Sequence, residues 1–200
     1  MLAKTEGRDP MDTEARINLL ARIAQHGALP TPVAAEKSTS ILALAAASYG
    51  LRPSGDATIP TGFDPVAMAL FESIVEGAYL VATADAVFDP SERRAFERVV
   101  VAACGSAVAE DQISALVSDL GDQLATDGLD RRIDAVARGV SKKEHAHEVL
   151  RVAAVLAQAS QDVSPPEREV LSRIARACKM EPREVDAALD EVRRALGGTR

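Results

Sequence analysis

Aromatic residues make up only 3% of the 200-residue sequence, and tryptophan is missing. Recognition of nucleic acid by base stacking needs aromatic platforms, so that mode has little to work with. Basic residues are in deficit: 30 acidic side chains stand against 23 basic ones, a formal net charge of −7. Such a surface repels phosphate, which argues against DNA, RNA and anionic membranes as partners. A metal cation or a basic protein surface suits it better. Cysteine occurs only twice, at Cys104 and Cys178. In a chain this long, two cysteines read as reduced thiols rather than a disulfide framework. No stretch reaches the ~20 apolar residues of a membrane span; the longest candidate, 66–88, is interrupted by Glu72, Glu76 and Asp85. The opening MLAKTEGRDPMDTEAR has acids early and no apolar run, so no signal peptide and a cytoplasmic location are expected.

Hydrophobic residues make up 47% of the chain and charged ones 26%, an ordinary globular balance. With few aromatics the core must come from Ala, Val, Leu and Ile. Ala and Leu are the best helix formers, so close-packed helices are favoured. Helix signals run the length of the chain and strand signals are nearly absent. Residues 12–26 repeat apolar Ile17, Leu20 and Ile23 on one face, with Asp12 or Thr13 placed to cap the start and Gly27 to end it. Ser38–Ser40 precede an Ala-rich segment ending at Gly50. Residues 51–62 hold two Pro and two Gly in twelve positions, the clearest loop.

Asp64–Pro65 is a preferred helix start, and the pattern from there runs to about Ala86. Further helices are expected from Pro90 to about Cys104, over 109–126 and over 128–138. Ser141 is placed to cap 142–160, Ser164 to cap 165–178, and 182–196 closes the series. The expected class is all-α, a compact helical bundle of eight or nine helices.

An internal repeat is the most informative feature. At an offset of 75 residues, AYLVATADAVFDPSERRAFERVVVAAC lies over AAVLAQASQDVSPPEREVLSRIARACK. Identical pairs include Ala78/Ala153, Ala82/Ala157, Pro90/Pro165, Glu92/Glu167, Arg93/Arg168 and Arg98/Arg173. The shared Pro-x-Glu-Arg falls at the same turn in both copies. The unit is helix, acidic turn, helix, helix, with copies over about 64–127 and 142–196. Residues 1–62 then form an N-terminal helical arm with Pro/Gly connectors, and 63–200 the repeat domain.

Candidate chemistry concentrates at these turns. The first reads Asp85-Ala-Val-Phe-Asp89-Pro-Ser-Glu92. Asp89 at the N-cap and Glu92 three residues on fit a capping box, in which each side chain bonds the other's backbone N–H. Three carboxylates on one turn are also hard oxygen ligands of the kind a divalent cation takes. The cap accounts for Asp89 and Glu92 and leaves Asp85 unexplained, an acid late in a helix where the dipole disfavours negative charge; a cation site would use Asp85, Asp89 and Glu92 together. The second turn, Ser160-Gln-Asp162-Val-Ser164-Pro-Pro-Glu167, repeats the cap with Ser164 and offers Asp162 and Glu167 as its acids.

The pattern AxADxxxDPxERxxFxxV and its degenerate second copy resemble the TerB-like family, named for the tellurite-resistance protein B of bacteria. That family's usual turn reads roughly Ala-Asp-Gly-x-hydrophobic-x-Pro-x-Glu. Asp85, Phe88, Asp89 and Glu92 follow it, with Ala86 in place of Gly. In the second copy Val163, Ser164, Pro165 and Glu167 follow it, with Ser160 in place of the acid. The resemblance covers about 64–196. It implies an all-helical, cytoplasmic, non-enzymatic module linked to tellurite and metal stress, with the turn acids as metal chelators or partner-docking groups. The alternative is a helical scaffold whose turns are caps only.

Other motifs are thin. His145-x-His147 cannot face one ligand from a helix, because residues two apart point in different directions. His26 reads as a cation at a helix end. No Walker A, GxGxxG, CxxC, HExxH or GxSxG pattern occurs, so no catalytic constellation is expected. Charge is uneven: residues 64–128 hold twelve acids and three bases, Arg93, Arg94 and Arg98.

Overall fold

The computed structural model describes residues 10–26, 40–52, 62–85, 88–105, 107–158 and 163–197, and the side chains of 10–13 and 26 lie outside that description. Among the described residues there are nine α-helices and no strand. They are α1 (Pro10–His26), α2 (Ile41–Gly50), α3 (Pro65–Ala82), α4 (Pro90–Ala103), α5 (Glu110–Asp127), α6 (Leu129–Gly139), α7 (Lys143–Ala157), α8 (Pro165–Ala177) and α9 (Pro182–Gly197). The all-α expectation holds.

Local chemistry sets most of the starts. Ser40 Oγ accepts the Ala43 N–H at 3.0 Å and opens α2. Asp64 Oδ1 accepts the Val66 and Ala67 N–H groups at 2.9 and 3.3 Å, with Pro65 filling a position whose N–H would have no partner. Ser164 caps α8 as expected. Other boundaries differ from the sequence reading. α1 begins at Pro10, so Asp12 and Thr13 lie inside it rather than at its cap. α3 stops at Ala82, four residues before Ala86, and the Thr83 hydroxyl bonds back to the Tyr79 carbonyl at 2.9 Å. Ser141 does not cap α7, whose N-cap is Lys142; the Ser141 hydroxyl meets His145 Nδ1 instead, at 3.3 Å.

The repeat is visible in three dimensions. Helices α3, α4 and α5 form the first copy, and α7, α8 and α9 the second. Helices α3 and α7 lie side by side at the centre. In α3 every residue from Ser73 to Val81 is buried, and α7 is buried continuously from Val152 to Ala157. This is why their sequences read as near-continuous apolar runs rather than stripes. Around them α1 packs on α4 and α7, while α6 packs on α8 and α3. Each flanking helix thus bridges the second helix of one copy and the first helix of the other. Gly139 closes α6 against α3, and a Cβ there would collide with Ser73 Oγ.

The ends of α4 and α8 match as well. Cys104 and Cys178 are both C-caps, each donating its N–H back into the last turn. The next residue is left-handed in both copies, Gly105 at φ 55° and Lys179 at φ 58°. In the second copy this completes a Schellman motif: Met180 N–H donates to Ala175 O at 2.9 Å and Lys179 N–H to Arg176 O at 3.0 Å. Residues 10–26 and 41–50 contribute to the same buried cluster as the repeats, through Ile17, Leu20, Ile23, Leu42 and Tyr49.

Candidate functional site

The first acidic turn is built from the end of α3 and the start of α4. Asp89 Oδ1 accepts the Ser91 N–H at 2.6 Å, the Ser91 hydroxyl at 2.7 Å and the Glu92 N–H at 3.0 Å. Glu92 Oε2 accepts the Asp89 N–H at 3.1 Å and closes the capping box. The Ser91 hydroxyl, followed by the two backbone N–H groups, holds the Asp89 carboxyl below its ordinary value. It is therefore an anion well into the acidic range. Asp85 is exposed in the turn that follows α3, outside the helix. Beneath the turn, Phe88 and Phe96 meet edge to face with Tyr79, at centroid distances of 5.5 to 6.2 Å. Tyr79 was not among the residues the sequence pattern singled out, because it sits two turns upstream on α3.

The second turn keeps the box and little else. Ser164 Oγ accepts the Glu167 N–H at 3.4 Å, and Glu167 Oε2 accepts the Ser164 N–H at 2.7 Å. Glu92 and Glu167 therefore occupy the same third position of their helices. Glu167 is only 6% exposed, whereas Glu92 is half-buried. Asp162 lies outside the described residues. Among the described residues, no three His, Cys, Asp or Glu side chains stand where they could hold a metal ion together. What the geometry does bring together is Asp89 with Glu92, and Ser164 with Glu167, as reciprocal caps.

The remaining candidates separate. His145 faces Ser141, and His147 Nε2 lies 3.3 Å from Glu184 Oε1, so the two imidazoles serve different neighbours. Glu184 is also held by Lys143 Nζ at 2.9 Å, and that bond, with the Glu181 N–H, keeps its carboxyl low. Both cysteines are free thiols. Burial pushes Cys104 up to about 12 and Cys178 upward as well, the opposite of what a reactive thiolate needs.

Two buried ion pairs carry more weight than any of these, and the sequence signal for them was slight: charges inside apolar helices. In α3, Glu76 accepts from Arg132 Nε at 2.6 Å, and Arg132 also reaches Asp127 at 3.1 Å. In α7, Arg151 grips Glu148 through Nε at 3.0 Å and Nη2 at 2.8 Å. Position 151 lies 75 residues after position 76, so the repeat puts a charge at the same place and reverses its sign. Both pairs secure a flanking helix.

The acidic half of the chain stays acidic on its surface. Helix α5 carries five acids and no basic residue. Glu110, Asp111, Asp119 and Asp122 are exposed on it and make no ion pair with the described residues. Of the three arginines in this half, Arg93 is turned to Glu97 and the Ser114 carbonyl, Arg98 to Glu14, and the exposed Arg94 is near enough to Asp89 to help keep its carboxyl low.

The fold and its turns define an all-helical protein built on a duplicated helix, capped acidic turn, helix, helix unit. The family model for tellurite resistance protein TerB matches residues 73–190, more than half of the chain. The chain belongs to that family. No curated protein and no solved structure matches it.

Proposed function

We propose that the chain is a non-enzymatic docking module of the tellurite-resistance family, working in the cytoplasm by receiving a basic protein surface on its acidic half. The observation that carries this reading is the charge of α5, which has five acids and no base: Glu110, Asp111, Asp119 and Asp122 are exposed on it and make no ion pair with the described residues. An exposed face of one sign steers an oppositely charged partner and sets its orientation more than it adds raw affinity. The test is complementation of a tellurite-sensitive deletion strain with wild type and with a Glu110→Gln/Asp119→Asn/Asp122→Asn variant. All three side chains are exposed, so the variant should fold with an unchanged circular dichroism spectrum. Lost tolerance in a folded variant supports docking through α5, and full tolerance refutes it.

A second reading is chelation of a divalent cation at the first turn by Asp85, Asp89 and Glu92, with Asp162 and Glu167 at the other. Asp89 directs Oδ1 to its three donors and Glu92 uses Oε2, which leaves Asp89 Oδ2 and Glu92 Oε1 outside the cap. A cation at ~100 times its Kd would stabilise the fold by ~2.7 kcal/mol, several degrees of Tm at about 2–4 °C per kcal/mol. The measurement is the shift that millimolar Ca²⁺, Mg²⁺, Mn²⁺ or Zn²⁺ produces in wild type and in Asp85→Ala. No shift in wild type, or a full shift in Asp85→Ala, removes this reading and leaves the turn as a capping box.

A further inference from the structure

We draw no further inference here: the strongest candidate, the cleft between α7 and α9 lined by Glu144, His147, Glu148, Arg151, Glu184 and Glu191, is an acidic cluster in which Arg151 already holds Glu148 while Lys143 and His147 hold Glu184, and nothing in the structure points to a ligand that fills it.

Discussion

Arg151→Met should be among the most damaging single substitutions in this protein. The guanidinium donates Nη1 to Ile23 O at 2.5 Å and Nη2 to Ala24 O at 2.6 Å, two of the last four carbonyls of α1. Those carbonyls have no partner inside their own helix. The same guanidinium holds Glu148, whose Oε1 accepts the Leu42 N–H at 3.1 Å in the first turn of α2. A cation thus meets the negative end of one helix and an anion the positive end of the next, the arrangement both dipoles favour. Arg151→Met leaves Glu148, 7% exposed, as an uncompensated buried charge. Breaking a buried pair in this way costs about 3–5 kcal/mol. At about 2–4 °C per kcal/mol, Tm should fall by roughly 6–20 °C. The assay is urea unfolding followed by circular dichroism, on wild type, Arg151→Met, Glu148→Leu and the double variant. Removing both charges abolishes the stranded carboxylate, so the double variant should lose less than the two single losses added together, by at least about 1 kcal/mol. Hydrogen exchange in Arg151→Met should quicken in α1 and α2 before α4 or α5. A loss below about 1 kcal/mol, or strictly additive losses, would refute the reasoning, since a merely surface-exposed pair behaves that way.

Two further substitutions probe the backbone and the buried acids. Lys179→Gly should raise stability: the left-handed φ of 58° costs a side-chain residue roughly 1–2 kcal/mol, while glycine adds ~0.4–1 kcal/mol of unfolded-state freedom, leaving a net gain of about 0.5–1 kcal/mol. Lys179→Ala keeps the strain and should show no such gain in urea midpoint. Glu72→Gln should be more stable than wild type at pH 7, with the advantage fading toward pH 4. Burial pushes the Glu72 carboxyl up, Arg52 opposing and Glu76 adding. A folded-state value above the unfolded one means the ionised form weakens the fold at neutral pH, and that penalty is absent once both states are protonated. Urea midpoints across pH 4–8 give the answer, and an advantage that stays constant or grows in acid contradicts the sign.

Much of this architecture can be read from the chain itself. The all-α class, the positions of α4, α5, α6, α8 and α9 to within a residue or two, and the duplication all follow from local signals: helix-forming composition, Asp-Pro and Ser-Pro caps, and a 75-residue offset in pattern. The capping boxes are local too, since each joins residues three apart. Such features are legible because their physics closes within one turn of helix. The boundaries that moved did so for reasons a few residues wide but ambiguous in sequence. Thr83 and Ser141 each carry a hydroxyl that can cap, back-bond or face a side chain, and the choice between these depends on what packs nearby.

Tertiary structure decided the rest. How deeply a turn glutamate is buried, as Glu92 and Glu167 differ at the same helix position, depends on the neighbours that cover the turn. The aromatic triad of Tyr79, Phe88 and Phe96 and the Glu76–Arg132 pair join residues brought together only by packing of separate helices. The anchoring of α1 and α2 by Glu148 and Arg151 spans more than one hundred residues of sequence, and no local rule reaches so far. Sequence alone determined which helices form, because a helix satisfies its own backbone. Only the packed structure decided which charges are buried, paired or left on the surface, because burial is a property of the neighbours and not of the residue.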